Sequence, residues 1–567
     1  MSASQSKLQV VLCWHMHQPD YRGPEHSDFQ LPWVYLHGIK DYVDMAAHLE
    51  ENPEARAVVN FAPVLLEQLD DYVEQLEAWL QRGTIIRDPL LSALAGPGLP
   101  VDQETRRRLL RDCLRANEKR LIDRFPMFRR LVDIANQLSD HEECSIYLGD
   151  QFLVDLLVWY HLAWMGEYPR SNDLRIHSLE KKRIGFNNED RRRLVEVIRD
   201  LLSGIVERYR RLAQGGRVEL SVTPYAHPIM PLLLDINSAR EAMPEVQLPK
   251  PAGYPGGEAR VRWQIRKGID VFEHHFGFRP AGCWPSEGAV SQATLKILEE
   301  EGFQWAASGQ RVLENSLRKE LKDAPLPRNW VHAPYRTGRG GIHCFFRDDG
   351  LSDFVGFTYA VWHADDAVAD LINHLEIIAN STAGNPNAVA SIILDGENAW
   401  EYYPRNGCFF LEALYQRLCE HPRLELTTFS DCLRAQKKDA SQLKQVVAGS
   451  WVYGTFSTWI GDRDKNRAWE MLIDAKKVYD RVMTEGKLTA EQRKEAELQL
   501  AHCEGSDWFW WFGDYNPGDT VSDFERLFRH QLTHLYRILQ VEPPEYLQHV
   551  FAFGDGAPAM GGVMRKN

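Results

Sequence analysis

The sequence has few of the features that mark secreted, membrane-spanning or nucleic-acid-binding proteins. Its nine cysteines stand singly, with no Cys-x-x-Cys pair, and their odd number argues against a complete disulfide framework. No apolar run approaches the ~20 residues that cross a bilayer, and the first residues turn polar too soon for a signal peptide. The formal net charge of −14 disfavours nucleic acid or an anionic membrane as a partner. We therefore expect a cytoplasmic protein that binds neither nucleic acid nor membrane.

What the sequence does have is a series of short apolar, β-branched runs between longer helical patterns. Such runs are typical of parallel strands that are buried on both faces. With 567 residues, of which 44% are hydrophobic, the chain is long enough for two or more domains. Seven or eight strands favour a closed α/β barrel over an open sheet, although the count alone does not separate the two. The candidate strands cover residues 8–13, 57–61, 218–222, 281–284, 304–307, 342–346, 390–394 and 424–428.

The strand pattern stops near Ala435, and the last part of the chain has a helical pattern. Residues 436–439 form a polar stretch that is typical of a domain junction. We therefore predict an α/β barrel domain with helical insertions over residues 1–435, and a helical domain over residues 436–567.

Helical patterns outside the barrel strands are clearest in three places. Residues 65–80 and 103–137 have leucines at helical spacing with dense Arg and Glu, which indicates amphipathic helices laid over the barrel. We assign their charge to a solvated face rather than to a binding patch. Thr489 and Gln492 have the spacing of a capping box that opens a helix through Leu500.

Two strand-end segments place carboxylates beside tryptophan. Asp395 and Glu397 directly follow an apolar run, and Trp284 leads another strand into Glu287. Two carboxylates at separate strand ends are what cleavage of a glycosidic bond requires. Asp395 is the better catalytic candidate of its pair, because Gly396 interrupts the strand before Glu397. The alternative for Glu287 is a surface ion pair, but the segments favour an enzyme that cleaves or transfers glycans.

Histidines follow the first and third candidate strands. Strand alternation puts His15 and His17 on one side of the chain, and the Gln18-Pro19 dipeptide then turns it. Two imidazoles at a strand end can hold sugar hydroxyls or a metal, or they can be a structural pair under the barrel rim. His227, in the loop after the third strand, is a further candidate for a substrate hydroxyl.

Two C-terminal segments, residues 450–462 and 505–514, are rich in tryptophan. Aromatic residues at this density are usually core, but Asp462, Asp507 and Asp514 lie among them. Stacking faces beside carboxylates suit an oligosaccharide, so these segments are candidates for part of the cleft. A charged cluster at residues 347–353 can supply a sugar-contacting arginine or aspartate, or it can be a self-satisfied turn.

Together these segments resemble glycoside hydrolase family 57 over most of the chain, with five motifs in the family's order. They are His17-Gln18-Pro19, the block from Glu219 to His227, Trp284-Pro285-Ser286-Glu287, Leu394-Asp395-Gly396-Glu397-Asn398, and the block from Thr455 to Gly461. The resemblance implies an incomplete, seven-stranded TIM-like barrel, followed by a helical domain that helps to close the active site.

The resemblance also implies a retaining mechanism on α-glucans, with no cofactor and no metal. Glu287 would be the nucleophile that forms a glycosyl-enzyme intermediate, and Asp395 the general acid and then base. The two carboxyl groups should then lie about 5–5.5 Å apart. Glu287 must stay ionised, whereas Asp395 must start protonated through a raised pKa. Substrate would be bound by His15, His17, His227, Trp284, Glu397, Trp400, Trp459, Asp462 and Asp514.

Within the family, the motifs at residues 395–401 and 454–461 look most like the α-amylase and amylopullulanase branch. A 4-α-glucanotransferase or a branching enzyme remains an alternative, because hydrolysis and transfer share the same intermediate. A rival of another class is a zinc-dependent deacetylase-like or mannosidase-like enzyme with His15 and His17 as metal ligands. A non-catalytic glucan-binding protein is a further alternative.

Overall fold

Ten β-strands form one sheet in the computed structural model, which describes residues 7–23, 27–139, 149–337, 341–436 and 439–556. In chain order they are β1 (Leu8–Met16), β2 (Ala57–Phe61), β3 (Val218–Val222), β4 (Gly282–Cys283), β5 (Trp305–Gly309), β6 (Tyr335–Thr337), β7 (His343–Arg347), β8 (Val389–Asp395), β9 (Leu424–Thr427) and β10 (Ser441–Leu443).

Seven of these strands close into a barrel in which every neighbouring pair is parallel. Around the ring the order is β1, β2, β3, β4, β5, β7 and β8, and β8 then pairs again with β1. The strands are mostly apolar, because they carry helices outside and a packed core inside; all nine residues of β1 are buried. The predicted seven-stranded barrel is confirmed.

The eighth predicted strand, β9, lies outside the ring. It pairs with the first half of β1, through Leu8 to Val11, while β2 pairs with the second half of β1. β6 and β10 extend the sheet beyond β7, and β6 runs antiparallel to β7. The apolar pattern predicted β9 correctly as a strand, but only the pairing shows that it does not help to close the barrel.

Helices fill the connections between the strands. Those up to β3 are α1 (Trp33–His37), α2 (Val43–Glu51), α3 (Pro63–Arg82), α4 (Pro89–Ala95), α5 (Gln103–Asp112), α6 (Pro126–Ser139), α7 (Asp150–Ala163), α8 (Glu167–Asn172), α9 (Leu174–Lys182) and α10 (Asn188–Gln214). Those from β3 to β10 are α11 (Met230–Leu234), α12 (Gly257–Phe276), α13 (Gln292–Glu300), α14 (Gln310–Leu321), α15 (Asp349–Asp353), α16 (Ala364–Ser381), α17 (Cys408–Glu420) and α18 (Phe429–Arg434). A π-helical turn, Gly38–Tyr42, joins α1 to α2.

The chain after β10 is helical, as predicted: α19 (Arg463–Glu485), α20 (Ala490–Cys503), α21 (Ser506–Trp511) and α22 (Gly518–Ile538). The predicted capping box is confirmed, because Thr489 and Gln492 exchange side-chain and backbone hydrogen bonds at the start of α20. The domain boundary after Ala435 stays a prediction, and residues 437 and 438 of its junction lie outside the described residues. None of the described helices combines the length and apolar composition that crossing a bilayer requires.

Candidate active site

A cavity of about 570 Å³ lies at the carboxyl ends of the barrel strands, where barrel enzymes carry their active sites. Strand ends and the loops after them contribute His15, His17, Gln18, Glu287, Arg347, Leu394, Asp395, Glu397 and Asn398. The rest of the chain contributes further lining residues, including Trp33, Arg115, Asn117, Arg129, Asn136, Trp164, Trp451, Asp507, Trp510, Trp511, Asp519, Asp523 and Phe524. The two predicted catalytic acids therefore share one cavity.

Glu287 reaches the cavity because the chain turns sharply after the very short β4. Pro285 ends the strand, and Glu287 itself adopts a left-handed backbone conformation with φ of 56°. This conformation is uncommon for a residue with a side chain, and it is found where the surrounding structure imposes it. Trp451 holds the residue through two hydrogen bonds, because it donates its indole N–H to Glu287 Oε2 (2.9 Å) and its backbone N–H to the Glu287 carbonyl (3.1 Å).

Asp395 is the last residue of β8, and it lies beside His15 in the register of the parallel pair β1 and β8. Asn398 donates a hydrogen bond from Nδ2 to Asp395 Oδ2 (3.0 Å). Burial raises the pKa of Asp395, while the Asn398 hydrogen bond and the positive charge of Arg347 act in the opposite direction without cancelling it. A carboxyl group in this setting holds its proton more readily than an ordinary aspartate does.

Glu397 lies behind Asp395 and is almost fully buried, at 1% exposure. Its Oε1 accepts hydrogen bonds from the backbone N–H of His17 (3.3 Å), from Gln18 Nε2 (3.2 Å) and from the Tyr42 hydroxyl (3.4 Å). Burial raises the pKa of Glu397 well above its usual value, and the neighbouring charge of Asp395 raises it further. Oε2 has no hydrogen-bond partner among the described residues.

The histidines of the site are tied into a chain of hydrogen bonds. His15 Nδ1 donates to the Asn60 side-chain oxygen (2.7 Å), which also accepts from the Thr223 hydroxyl (2.7 Å). His15 Nε2 therefore carries a lone pair, and it accepts from His227 Nε2 (3.2 Å). His227 Nδ1 in turn accepts from the Ser506 hydroxyl (2.8 Å). Burial lowers the pKa of His15 to about 3 and that of His227 well below its usual value, so both rings are neutral.

His17 stacks on His227 with a ring separation of 3.7 Å, and it bonds through Nε2 to Asp507 (2.9 Å). Its Nδ1 has no hydrogen-bond partner among the described residues. Because Nε2 donates to the carboxylate, Nδ1 carries a lone pair that can accept a hydrogen bond from a substrate hydroxyl.

His15 and His17 are the candidates for a metal site that the sequence offers, and in the structure their ligand nitrogens and one of His227 lie within 4.8 Å of one another. Each of these rings takes part in hydrogen bonds: His227 Nε2 donates to His15 Nε2 (3.2 Å), and His17 Nε2 bonds to Asp507 (2.9 Å). Two nitrogens of a tetrahedral zinc site lie about 3.3 Å apart, so chelation rather than this distance decides on the zinc-dependent alternative.

Of the residues predicted to bind substrate, three line the cavity: His15, His17 and Glu397. Four others are buried beside or behind it. His227 supports His15, Trp284 packs edge-on against Trp451 with centroids 5.1 Å apart, Trp400 donates its indole N–H to the Gly396 carbonyl (3.0 Å), and Trp459 packs against Trp510. The indoles thus support the residues that face the cavity.

The remaining two predicted binding residues lie apart from the lining. Asp462 caps the start of α19 by accepting from the Asp464 backbone N–H (2.8 Å). Asp514 is exposed, and neither residue is among those that line the cavity. Their assignment as substrate-binding residues stays a prediction.

Sequence reasoning missed a large part of the cavity wall. Arg115, Asn117, Arg129 and Asn136 belong to the stretch of residues 103–137, whose charge we had assigned to a solvated face, and they line the cavity. Helical periodicity shows which face of a helix is polar, but it does not show whether that face meets water or a cleft. Trp451, Asp507 and Arg347 stood in segments that the sequence did single out as candidates.

Comparisons with known proteins agree with this architecture. A profile of glycosyl hydrolase family 57 matches residues 11–446. A family 57 branching enzyme from Thermococcus kodakaraensis shares the fold with a TM-score of 0.56 and 14% identity, over 94% of this chain and 90% of its own. The α-amylase AmyC from Thermotoga maritima does so with a TM-score of 0.53 and 14% identity, over 94% and 92%.

A third solved structure, the 4-α-glucanotransferase from Thermococcus litoralis, has a TM-score of 0.51 and 14% identity, over 95% of this chain and 61% of its own. No curated protein sequence matches the chain significantly. At this level of identity the solved structures establish the fold alone. The family profile spans most of the chain, and on that ground the protein belongs to glycosyl hydrolase family 57 and is a glycoside hydrolase enzyme.

Proposed function

We propose that the protein is a retaining glycoside hydrolase that acts on α-glucans, with Glu287 as nucleophile and Asp395 as general acid and base. The observation that carries this proposal is the pair of carboxyl groups in one cavity with different surroundings. Glu287 accepts an indole N–H bond, which favours its ionised form, whereas burial raises the pKa of Asp395 and favours its protonated form. Such a difference between two acids is what assigns acid and nucleophile in glycosidases.

In the first step Glu287 attacks the anomeric carbon and forms a glycosyl-enzyme ester, while Asp395 gives its proton to the departing glycosidic oxygen. Asp395, now ionised, then takes a proton from the incoming water or sugar hydroxyl, which attacks the ester and releases Glu287. Two polar atoms without a hydrogen-bond partner among the described residues, His17 Nδ1 and Glu397 Oε2, lie in the wall beside this pair. His17 Nδ1 would orient the sugar by accepting from a hydroxyl, and protonated Glu397 would do so by donating from Oε2 to another.

The substrate class follows from the family and from the lining of the cavity. Indoles beside carboxylates, amides and arginines offer stacking faces and hydroxyl partners to a sugar chain, and the volume suits a short stretch of oligosaccharide. Within the α-glucan-active enzymes, the motif around Asp395 supports an α-amylase or amylopullulanase activity on α-1,4 and, for the latter, α-1,6 linkages.

Transfer to a second glucan is the alternative outcome, and one observation favours it. Residues 114–136 and the start of α22 both contribute to the cavity wall, where an ion pair between Arg115 and Asp523 (3.2 Å) joins them. A cavity walled in this way can hold an acceptor sugar and limit the access of water to the intermediate. A 4-α-glucanotransferase or a branching enzyme would use the same two carboxyl groups.

The test is a product profile on maltoheptaose, with amylose and pullulan in parallel. We expect wild-type protein to release shorter oligosaccharides, and Glu287→Gln and Asp395→Asn to lose at least about 10³-fold in rate, because each removes a group that acts on the reacting atoms. Glu425→Gln, which changes an exposed acid on β9, serves as the matched control.

The products decide between the two activities. Shorter products alone mean hydrolysis, longer products as well mean transfer, and cleavage of pullulan adds action on α-1,6 bonds. The proposal fails if Glu287→Gln or Asp395→Asn turns over glucans near the wild-type rate while both remain folded.

A further inference from the structure

Arg347 is a buried arginine at the cavity wall whose role the two-carboxylate mechanism leaves open. It is the last residue of β7 and is 3% exposed, and it lines the cavity. Three hydrogen bonds fix its guanidinium: Nε donates to the Ile393 carbonyl (2.9 Å), Nη1 to Asp349 Oδ1 (2.9 Å) and Nη2 to Asp353 Oδ1 (2.8 Å). A planar group held along its edges in this way has one orientation.

The guanidinium of Arg347 lies over the Trp451 ring, with its central carbon 5.4 Å from the ring centroid. Trp284 packs edge-on against the same indole, with centroids 5.1 Å apart and planes at 72°. The indole is thus held by two neighbours, and its N–H donates to Glu287 Oε2 at 2.9 Å. A cation over an indole is an attractive contact, strongest where water is excluded. Arg347 therefore acts on Glu287 through Trp451.

The positive charge of Arg347 also acts on Asp395. Its Nε bonds to the carbonyl of Ile393, two residues before Asp395 on β8. Of the described residues, His17, Glu397 and Arg347 act electrostatically on Asp395, and His15 lies beside it in the register of β1 and β8. The charge of Arg347 lowers the pKa that burial raises. The acids that face Arg347 itself are Asp348, Asp349, Asp353 and Asp395.

We propose that Arg347 is a positioning residue that serves both carboxyl groups of the site: its face keeps the Trp451 indole aimed at Glu287, and its charge stabilises the ionised form of Asp395. The inference rests on the proposed function, since it takes Glu287 as nucleophile and Asp395 as acid and base. It assigns one side chain to two separable effects, because the first acts on the nucleophile and the second on the proton donor.

Two substrates separate these effects. An aryl α-maltooligoside with an acidic phenol as leaving group needs little protonation, so its rate reports on Glu287, whereas maltoheptaose needs both groups. For Arg347→Met we expect the rate on the aryl substrate to fall about tenfold or more, because the Trp451 indole that donates to the Glu287 carboxylate is no longer held in place. We also expect the alkaline limb of kcat/KM on maltoheptaose to move up by about 1 pH unit, because Asp395 loses a neighbouring positive charge.

Companion variants give each effect its own reference. Trp451→Phe should lower the rate on the aryl substrate as much as Arg347→Met does, but it should leave the alkaline limb of the pH profile on maltoheptaose unchanged. The double variant Arg347→Met/Trp451→Phe should lose no more rate on the aryl substrate than the slower of the two single variants. Arg347→Lys keeps the positive charge but not the planar guanidinium. The alkaline limb of the pH profile should therefore stay at its wild-type position, whereas the rate on the aryl substrate should fall. Arg336→Met on β6, which does not line the cavity, is the matched control and should behave as wild type.

Removal of Arg347 leaves Asp349 and Asp353 without their partner, so folding of each variant is checked by thermal unfolding. If Arg347→Met does not fold, Arg347→Lys decides: an unchanged aryl rate overturns the inference. The inference is also overturned if Arg347→Met folds and keeps both the wild-type rate on the aryl substrate and the wild-type alkaline limb on maltoheptaose. Additive losses of rate in the double variant Arg347→Met/Trp451→Phe would overturn it as well. If Glu287→Gln or Asp395→Asn remains active, the proposed function itself has failed instead.

Discussion

At the scale of single residues, burial moves the protonation of the site's acids and histidines in opposite directions. Removal from water disfavours charge, so it lowers the pKa of His15 and His227 and raises that of Asp395 and Glu397. The same buried surroundings therefore favour the neutral form of the imidazoles and the protonated form of these two carboxyl groups. Glu287 differs because Trp451 donates an N–H directly to its carboxylate.

Glu397→Gln tests the protonation of Glu397 through stability. Its pKa is raised above the usual 4.5 in the folded protein, so the folded state binds the proton more tightly than the unfolded state. The contribution of Glu397 to stability is complete below about pH 4.5 and is lost as the pH rises through the raised pKa, at about 1.4 kcal/mol per pH unit. Between pH 5 and 8, the free energy of unfolding measured by urea titration should fall less in Glu397→Gln than in the wild type. Equal dependence of this free energy on pH in wild type and variant would contradict the prediction, and Glu425→Gln serves as the control.

Chelation tests the histidine cluster. Because the nitrogens of His15 and His227 already face each other in a hydrogen bond, we expect dialysis against EDTA to leave the rate on maltoheptaose unchanged and elemental analysis to find less than one zinc per chain. A rate that falls with the chelator and returns with zinc would show that the histidines hold a metal, and it would favour the zinc-dependent alternative.

At the scale of secondary-structure elements, the strand ends place the acids and the insertions shape the cavity. Strand periodicity was sufficient to locate β1, β2, β3 and β8 within a few residues. The insertion that carries α5 and α6 was predicted as helical, and this is confirmed, but its polar residues lie against the cavity instead of facing only water. Which face of an inserted helix meets the rest of the protein depends on the long-range packing.

Loss of the Arg115–Asp523 pair tests whether the insertion and α22 act together on substrate. The pair joins them at 3.2 Å, with side chains 39% and 19% exposed. Such partly exposed pairs contribute about 0.2–1 kcal/mol, so Asp523→Asn should raise KM for maltoheptaose by roughly fivefold or less and change kcat little. Arg108→Gln, on the exposed face of α5, is the control. A large loss of kcat with unchanged KM would contradict this role.

At the scale of the whole molecule, the chain after the barrel completes the site. Ser506 and Asp507, at the start of α21, bond to His227 and His17 from the barrel, and Trp451 bonds to Glu287. These contacts join residues that are far apart in the sequence. Through them the tryptophan-rich segments take part in the active site although they follow the barrel in the chain.

Two aspartates of one segment provide the test at this scale. Asp507 bonds to His17 and lines the cavity, whereas Asp514 is exposed. We expect Asp507→Asn to lower kcat/KM on maltoheptaose about tenfold, because a charge-assisted hydrogen bond contributes about 1.5–3 kcal/mol. Asp514→Asn should change kcat/KM less than twofold. The reverse order of effects would place the substrate against Asp514, as its sequence context predicted.

Local patterns predicted most of the strands, the helical C-terminal part and the two acids that share the cavity: apolar runs of strand length, helical periodicity, and polar residues directly after a strand. Closure of seven strands into a barrel was implied by the resemblance to the family, because the strand count alone fits an open sheet as well. Only the folded chain shows which tryptophans face the cavity and which support it from behind, that β9 lies outside the ring, and that Arg347 lies over Trp451 in the wall that the two acids share. Those features depend on contacts between residues far apart in the chain, and neither spacing nor composition records such contacts.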